Sequence, residues 1–139
     1  MRPADAAAPA RPGIAGPARG RPRHDGVGPQ DVHDPLRLLQ QVRAIDKLNA
    51  KLQGIEILKS AEVDILDDGS LDMPDDVLKE LDFTVCAIHY GLHHSRGKQT
   101  ERILRAMDNP HFTILAHPTG RLINARDPYE IDLERVLAA

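Results

Sequence analysis

Phe83-Thr84-Val85-Cys86-Ala87-Ile88-His89 decides the fold. The run is short, apolar and partly β-branched, and it ends on an imidazole. Runs of this kind read as strands of a parallel sheet, apolar on both faces because helices cover both sides. The same design stands on either side of it. Ala61-Glu62-Val63-Asp64-Ile65-Leu66 comes before, and Phe112-Thr113-Ile114-Leu115-Ala116-His117-Pro118 comes after. Each segment therefore carries a potential metal donor at or near its end. In barrel-like α/β folds the C-terminal ends of the strands converge, so side chains placed there meet around one site.

The intervening stretches read as helices. Asp34-Pro35 supplies an N-cap and a first-turn proline, and Leu38, Leu39, Val42, Ile45, Leu48 and Leu52 follow at helical spacing as one core face until Gly54. An apolar-alternating segment runs from Ile55 to Leu66 and closes on the turn Asp67-Asp68-Gly69-Ser70. Pro74 opens a short helix with Val77, Leu78 and Leu81 facing inward, and another helix is expected over Lys98–Met107, stopped by Asn109-Pro110. Asp132 caps a last helix, Leu133–Leu137. The alternation is α/β with right-handed crossovers. Three strands are too few to close a barrel and leave exposed edges, which invite self-association, so the chain reads as part of a larger fold.

Residues 1–30 have a different composition. They hold six of the eleven prolines, half of the glycines and five arginines, with Ile14 and Val27 as their branched apolar residues. Such a segment buries too little surface to offset its conformational entropy and is expected to be a disordered leader. Ala, Arg, Pro and Gly are also the residues of GC-rich codons, which points to an out-of-frame or misassigned start. The remainder, 31–139, carries 13 basic and 19 acidic residues, net −6 with neutral histidines, which argues against a broad electrostatic footprint on nucleic acid. No apolar run is long enough to span a membrane. The single cysteine, Cys86, excludes a disulfide framework and reads as a small core residue. A soluble cytoplasmic protein is the expectation.

Imidazole and carboxylate donors together suit divalent zinc, manganese or iron. Glu62 and Asp64 share one face of their strand, so both can address the site, or Asp64 can orient a donor from behind it. His93 and His94 fall in the loop after His89 and read as solvated; His111 lies at the opposite strand end. Arg96, Lys98 and Arg121 follow the two strand-end histidines and are candidates for holding phosphate. There is no P-loop, dinucleotide fingerprint or serine-nucleophile motif.

Several of these stretches together resemble a known family. Ala61 to Asp72, the Ala87-Ile88-His89 strand end, Ser95-Arg96-Gly97-Lys98-Gln99-Thr100-Glu101-Arg102 and Ala116-His117-Pro118-Thr119-Gly120-Arg121 resemble the polymerase and histidinol phosphatase (PHP) domain, in particular that of bacterial family X DNA polymerases. The resemblance covers about 34–139. It implies a portion of a distorted seven-stranded β/α barrel with up to three divalent metals, manganese or zinc foremost, at the strand ends. It further implies phosphoester hydrolysis, with 3′–5′ exonuclease and DNA-repair activity, and a DNA 3′ end or another phosphoester as substrate. Glu62 matches the family's metal-binding glutamate, His89 its strand-end histidine and His117 the histidine of its Gly/Ala-His-Pro motif. The family's early His-x-His motif, the aspartate and histidine after it, and a late Asp-x-His motif have no counterpart in order here, and Tyr90 replaces a usually small residue. By donor count, little or no activity is expected of the chain alone. Two other readings remain open: a non-catalytic remnant or binding module, and a small-molecule phosphatase of the histidinol phosphatase type.

Overall fold

A computed structural model describes residues 34–139; the leader assigned to residues 1–30 lies outside the described residues. The first element, α1, spans Pro35–Asn49. Asp34 caps it, its Oδ1 accepting from the Leu36 amide at 2.9 Å, with Pro35 in the first turn, where a missing N–H costs nothing. Its apolar stripe is not a core face along its whole length. Leu38 and Val42 are buried, whereas Leu48 is 49% exposed and Leu52 38%. The helix it packs on, α2 (Asp75–Leu78), is a single turn and covers only part of a fifteen-residue helix.

The strands are also shorter than the apolar runs that hold them. β1 is Ser60–Asp64, β2 is Phe83–Ala87 and β3 is Ile114–Leu115. Ile55, Ile57 and Leu58 alternate like a strand but lie exposed and outside the sheet. Asn49 fastens that stretch instead, bonding both the amide and the carbonyl of Ile57 at 2.9 Å. The sheet is parallel in the order β1-β2-β3. Its register pairs Glu62 with Val85, Asp64 with Ala87, and Val85 with Ile114.

Two further helices complete the described fold: α3, Arg96–Met107, and α4, Leu133–Leu137. Ser95 caps the first and Asp132 the second, which begins and ends where the sequence predicts. One face of the sheet, with Val63, Ile65, Cys86 and Ile88, joins Leu78, Ile103 and Ala106 in a single buried cluster. Cys86 is wholly buried within it, as expected. The opposite face departs from the expectation of helices on both sides. Glu62 and Ile114 are exposed there, Ile114 at 45%, and Val85 is half-buried. Among the described residues this face is open at Glu62 and Ile114 but closed at Asp64 and Ala87, both of which are buried.

Candidate metal centre

Strand alternation brings the candidate side chains together. Glu62 and Asp64 share a face of β1, and the register sets them beside Val85 and Ala87 on β2. Two residues beyond Ala87, on the same side, stands His89. His117 follows β3 after Ala116, whose amide still bonds the Cys86 carbonyl at 2.9 Å. Its backbone turns there with φ +29, and the Gly120 amide closes the turn onto the His117 carbonyl at 2.8 Å. Positive φ is uncommon for a residue with a Cβ, costs on the order of 1–3 kcal/mol, and clusters at functional sites.

Glu62 is the hub. Its Oε1 lies 3.0 Å from His89 Nε2 and 3.4 Å from His117 Nε2, and the two rings stand 5.2 Å apart. One donor atom from each of Glu62, His89 and His117 falls within 4.8 Å of the others, which is the spacing of side chains around one cation. Behind them, Asp64 Oδ1 meets His89 Nδ1 at 2.7 Å and is nearly buried. An ionised carboxylate can only accept, so the proton of that bond belongs to Nδ1, and Nε2 is the nitrogen presented to Glu62. The bond to Asp64 holds the His89 pKa above its ordinary value; burial opposes this, while the charges of Asp64 and Glu62 add to it.

The candidate phosphate-binding cations are dispersed. Arg96 pairs with Asp132 at 3.2 Å. Lys98 lines a surface cavity of about 260 Å³ with Asp67, Glu101, Arg102 and Arg105, and Arg121 is exposed. None of the three bonds Glu62, His89 or His117. His111 sits at the other end of the sheet, its carbonyl taking the Thr84 hydroxyl. His93 is exposed, but His94 is not simply solvated: its Nε2 lies 2.9 Å from Asp67 Oδ1. That bond, with a smaller contribution from Arg102, lowers the Asp67 pKa against the opposing effect of burial.

Arg102 was not legible as a site residue. Its side chain is fully buried, and it donates from Nε to the Leu66 carbonyl at 2.8 Å, from Nη1 to the Tyr90 carbonyl at 2.9 Å, and from Nη2 to the Ile65 carbonyl. The Tyr90 ring lies 4.9 Å from the guanidinium carbon. The signal in the sequence was its place in α3, where Gln99, Ile103 and Ala106 are buried around it.

No family model matches the chain. The DNA polymerase/3′-5′ exonuclease PolX of Bacillus subtilis (strain 168) is 46% identical over 101 residues, which cover 73% of this chain and 18% of the relative. The chain is a PHP-type relative of PolX. A probable phosphatase of Thermoanaerobacter sp. (strain X514) is 36% identical over 96 residues, 66% of this chain and 37% of that protein. A second probable phosphatase, from Caldanaerobacter subterraneus subsp. tengcongensis, is 34% identical over 93 residues, 64% of this chain and 34% of its own length. The PHP-type chain thus spans about a fifth to a third of the length of these relatives. No helix of the described residues is long and apolar enough to cross a membrane.

Proposed function

We propose that this chain is a metal-binding segment of a PHP-type phosphoesterase, with Glu62, His89 and His117 as metal ligands and residues 31–139 as part of a β/α barrel. The observation that carries this reading is the convergence of the three donors on Glu62 Oε1, with Asp64 behind His89. Two imidazoles and a carboxylate fit manganese or zinc. The sheet face bearing Glu62, Val85 and Ile114, open at Glu62 and Ile114, suits the inside of a larger barrel, where further strands and ligands would complete the centre.

A bound divalent ion supplies Lewis acidity for hydrolysis of a phosphoester. The residues of this chain prepare for it. Asp64 fixes the His89 ring and keeps Nε2 turned to Glu62, and the strained turn at His117 sets the third donor opposite. A DNA 3′ end is the substrate favoured by the PolX relative, and the cytoplasm is the corresponding location. Arg96, Lys98 and Arg121 are proposed as phosphate contacts only where a longer substrate passes the rim. With three ligands, the chain alone is expected to be weakly active or inactive. A second reading, hydrolysis of a small phosphate monoester, is favoured by the probable phosphatases among the relatives.

Elemental analysis of the purified chain tests the site. Stoichiometric manganese, zinc or iron, lost in a Glu62→Ala, His89→Ala double variant, is the expected result. Absence of metal from the folded wild-type chain after incubation with each ion would sink the reading and leave the non-catalytic alternative. Manganese-dependent release of nucleotides from a 3′ end, set against release of phosphate from histidinol phosphate, separates the two substrates.

A further inference from the structure

The ladder between β1 and β2 carries Glu62 and Asp64 and stops two residues short of His89. Its last backbone bond joins the Ile65 amide to the Ala87 carbonyl at 2.8 Å, and beyond it both chains leave the sheet. The carbonyls of Ile65 and Leu66 on one side and of Tyr90 on the other then turn to a single guanidinium, that of Arg102. A buried cation is tolerated only when its donors are met, and here three carbonyls, Gln99 Oε1 at 3.5 Å and Asp67 Oδ1 at 3.4 Å meet them. We infer that Arg102 is a positioning residue for the metal centre, clamping the ends of β1 and β2 so that Asp64 and Glu62 stay in register with His89. The inference rests on the metal-binding reading above and deepens it.

The clamp lies directly beside the donors. Tyr90, whose carbonyl it holds, is the residue after His89, and Ile65 is the residue after Asp64. Space around it is closed. Gly91 has φ +64, and a Cβ there would stand 2.8 Å from Asp67 Oδ1, 2.9 Å from His94 Nε2 and 3.0 Å from Arg102 Nη1. Nor can lysine replace the guanidinium. A single ammonium cannot serve carbonyls on two strand ends in the planar fork that Arg102 spreads across them.

The test follows the imidazole Nδ1–H of His89 by nitrogen-edited NMR in the metal-free full chain, comparing wild type, Arg102→Lys and Arg105→Lys. Loss of charged hydrogen bonds at the clamp is expected to speed exchange of that proton about tenfold or more in Arg102→Lys, with helix content retained and Arg105→Lys unchanged. Equal protection in folded Arg102→Lys overturns the inference, as does an equal loss in Arg105→Lys. Zinc affinity, measured in parallel, is expected to fall with it. A wild type that binds no zinc defeats the metal reading alone, because the proton readout needs no metal. If Arg102→Lys does not fold, native-state exchange of the wild type decides. His89 Nδ1–H and Arg102 Nε–H opening together supports the clamp, and His89 opening while Arg102 stays protected overturns it.

Discussion

Asp64 Oδ1 holds His89 Nδ1 at 2.7 Å across 25 residues of sequence. The carboxylate is 6% exposed and the ring 34%, so the bond sits at the boundary between core and solvent, with the other ring nitrogen, Nε2, turned to Glu62. This one contact turns a surface histidine into an oriented donor. Its partner at Nε2, Glu62, is half exposed and free to share a cation.

Replacing Asp64 by asparagine keeps the shape and removes the charge. Carboxylates that orient a ligating histidine are typically worth about 10–100-fold in metal affinity. Asp64→Asn is therefore expected to weaken zinc binding by that range with little change in fold, read by competition with a chromogenic chelator. Wild-type affinity in the folded variant would leave the carboxylate without an orienting role.

The raised pKa of His89 ties stability and metal binding to pH in opposite directions. In the metal-free protein the protonated ring is held by Asp64 and Glu62, so its stabilisation is fully present below the ordinary value near 6.5 and is lost as pH rises through the raised folded value. The proton competes with metal for Nε2, so zinc affinity falls as pH drops through that same raised value. Thermal melts at fixed ionic strength should show the metal-free chain losing this contribution on the alkaline side of 6.5, and His89→Gln should abolish the slope. A slope unchanged in His89→Gln would assign it to other groups.

The sequence exposed the parts of this site that repeat and hid those that do not. Strand ends carrying His89 and His117 were visible because an apolar run stopping on an imidazole is a local pattern, and Asp34, Asp132 and Pro74 marked helix starts for the same reason. The unpaired Ile55–Leu58 stretch looked like strand because alternation reports a tendency, while pairing depends on a neighbour the pattern does not name. Leu48 and Leu52 looked like core because helical spacing says nothing about the length of the helix opposite. Arg102 stayed hidden because its partners are backbone carbonyls, which every residue carries. Its role exists only once β1, β2 and α3 are assembled.

Tyr129 is a place where the fold gives up stability. Its hydroxyl is buried without a hydrogen-bond partner among the described residues, and burial pushes its pKa up to about 12. An unsatisfied buried hydroxyl costs about 1–3 kcal/mol, so Tyr129→Phe is expected to leave stability unchanged or raise it by about 1 kcal/mol. Denaturant unfolding measures this directly. A loss above about 1 kcal/mol would mean that the hydroxyl has a partner in solution.

The same ring supports the turn that carries His117. Gly120 has φ +58, and a Cβ added to it would lie 2.6 Å from Tyr129 Cε1 and 2.8 Å from Cδ1, while the Tyr129 amide bonds the Thr119 carbonyl at 3.0 Å. Alanine at 120 must therefore move the ring or open the turn, and the ring is packed into the core cluster. The expected cost is on the order of 1–3 kcal/mol from strain and lost packing together. Because the Gly120 amide also closes onto the His117 carbonyl, the change reaches the third candidate ligand. Gly120→Ala should lower zinc affinity at temperatures where the protein remains folded. Gly54→Ala, at a positive φ of +73 with open space around it, should lower stability with no effect on zinc. Equal losses of zinc affinity in the two variants would reduce the Gly120 effect to general destabilisation and detach the turn from the metal centre.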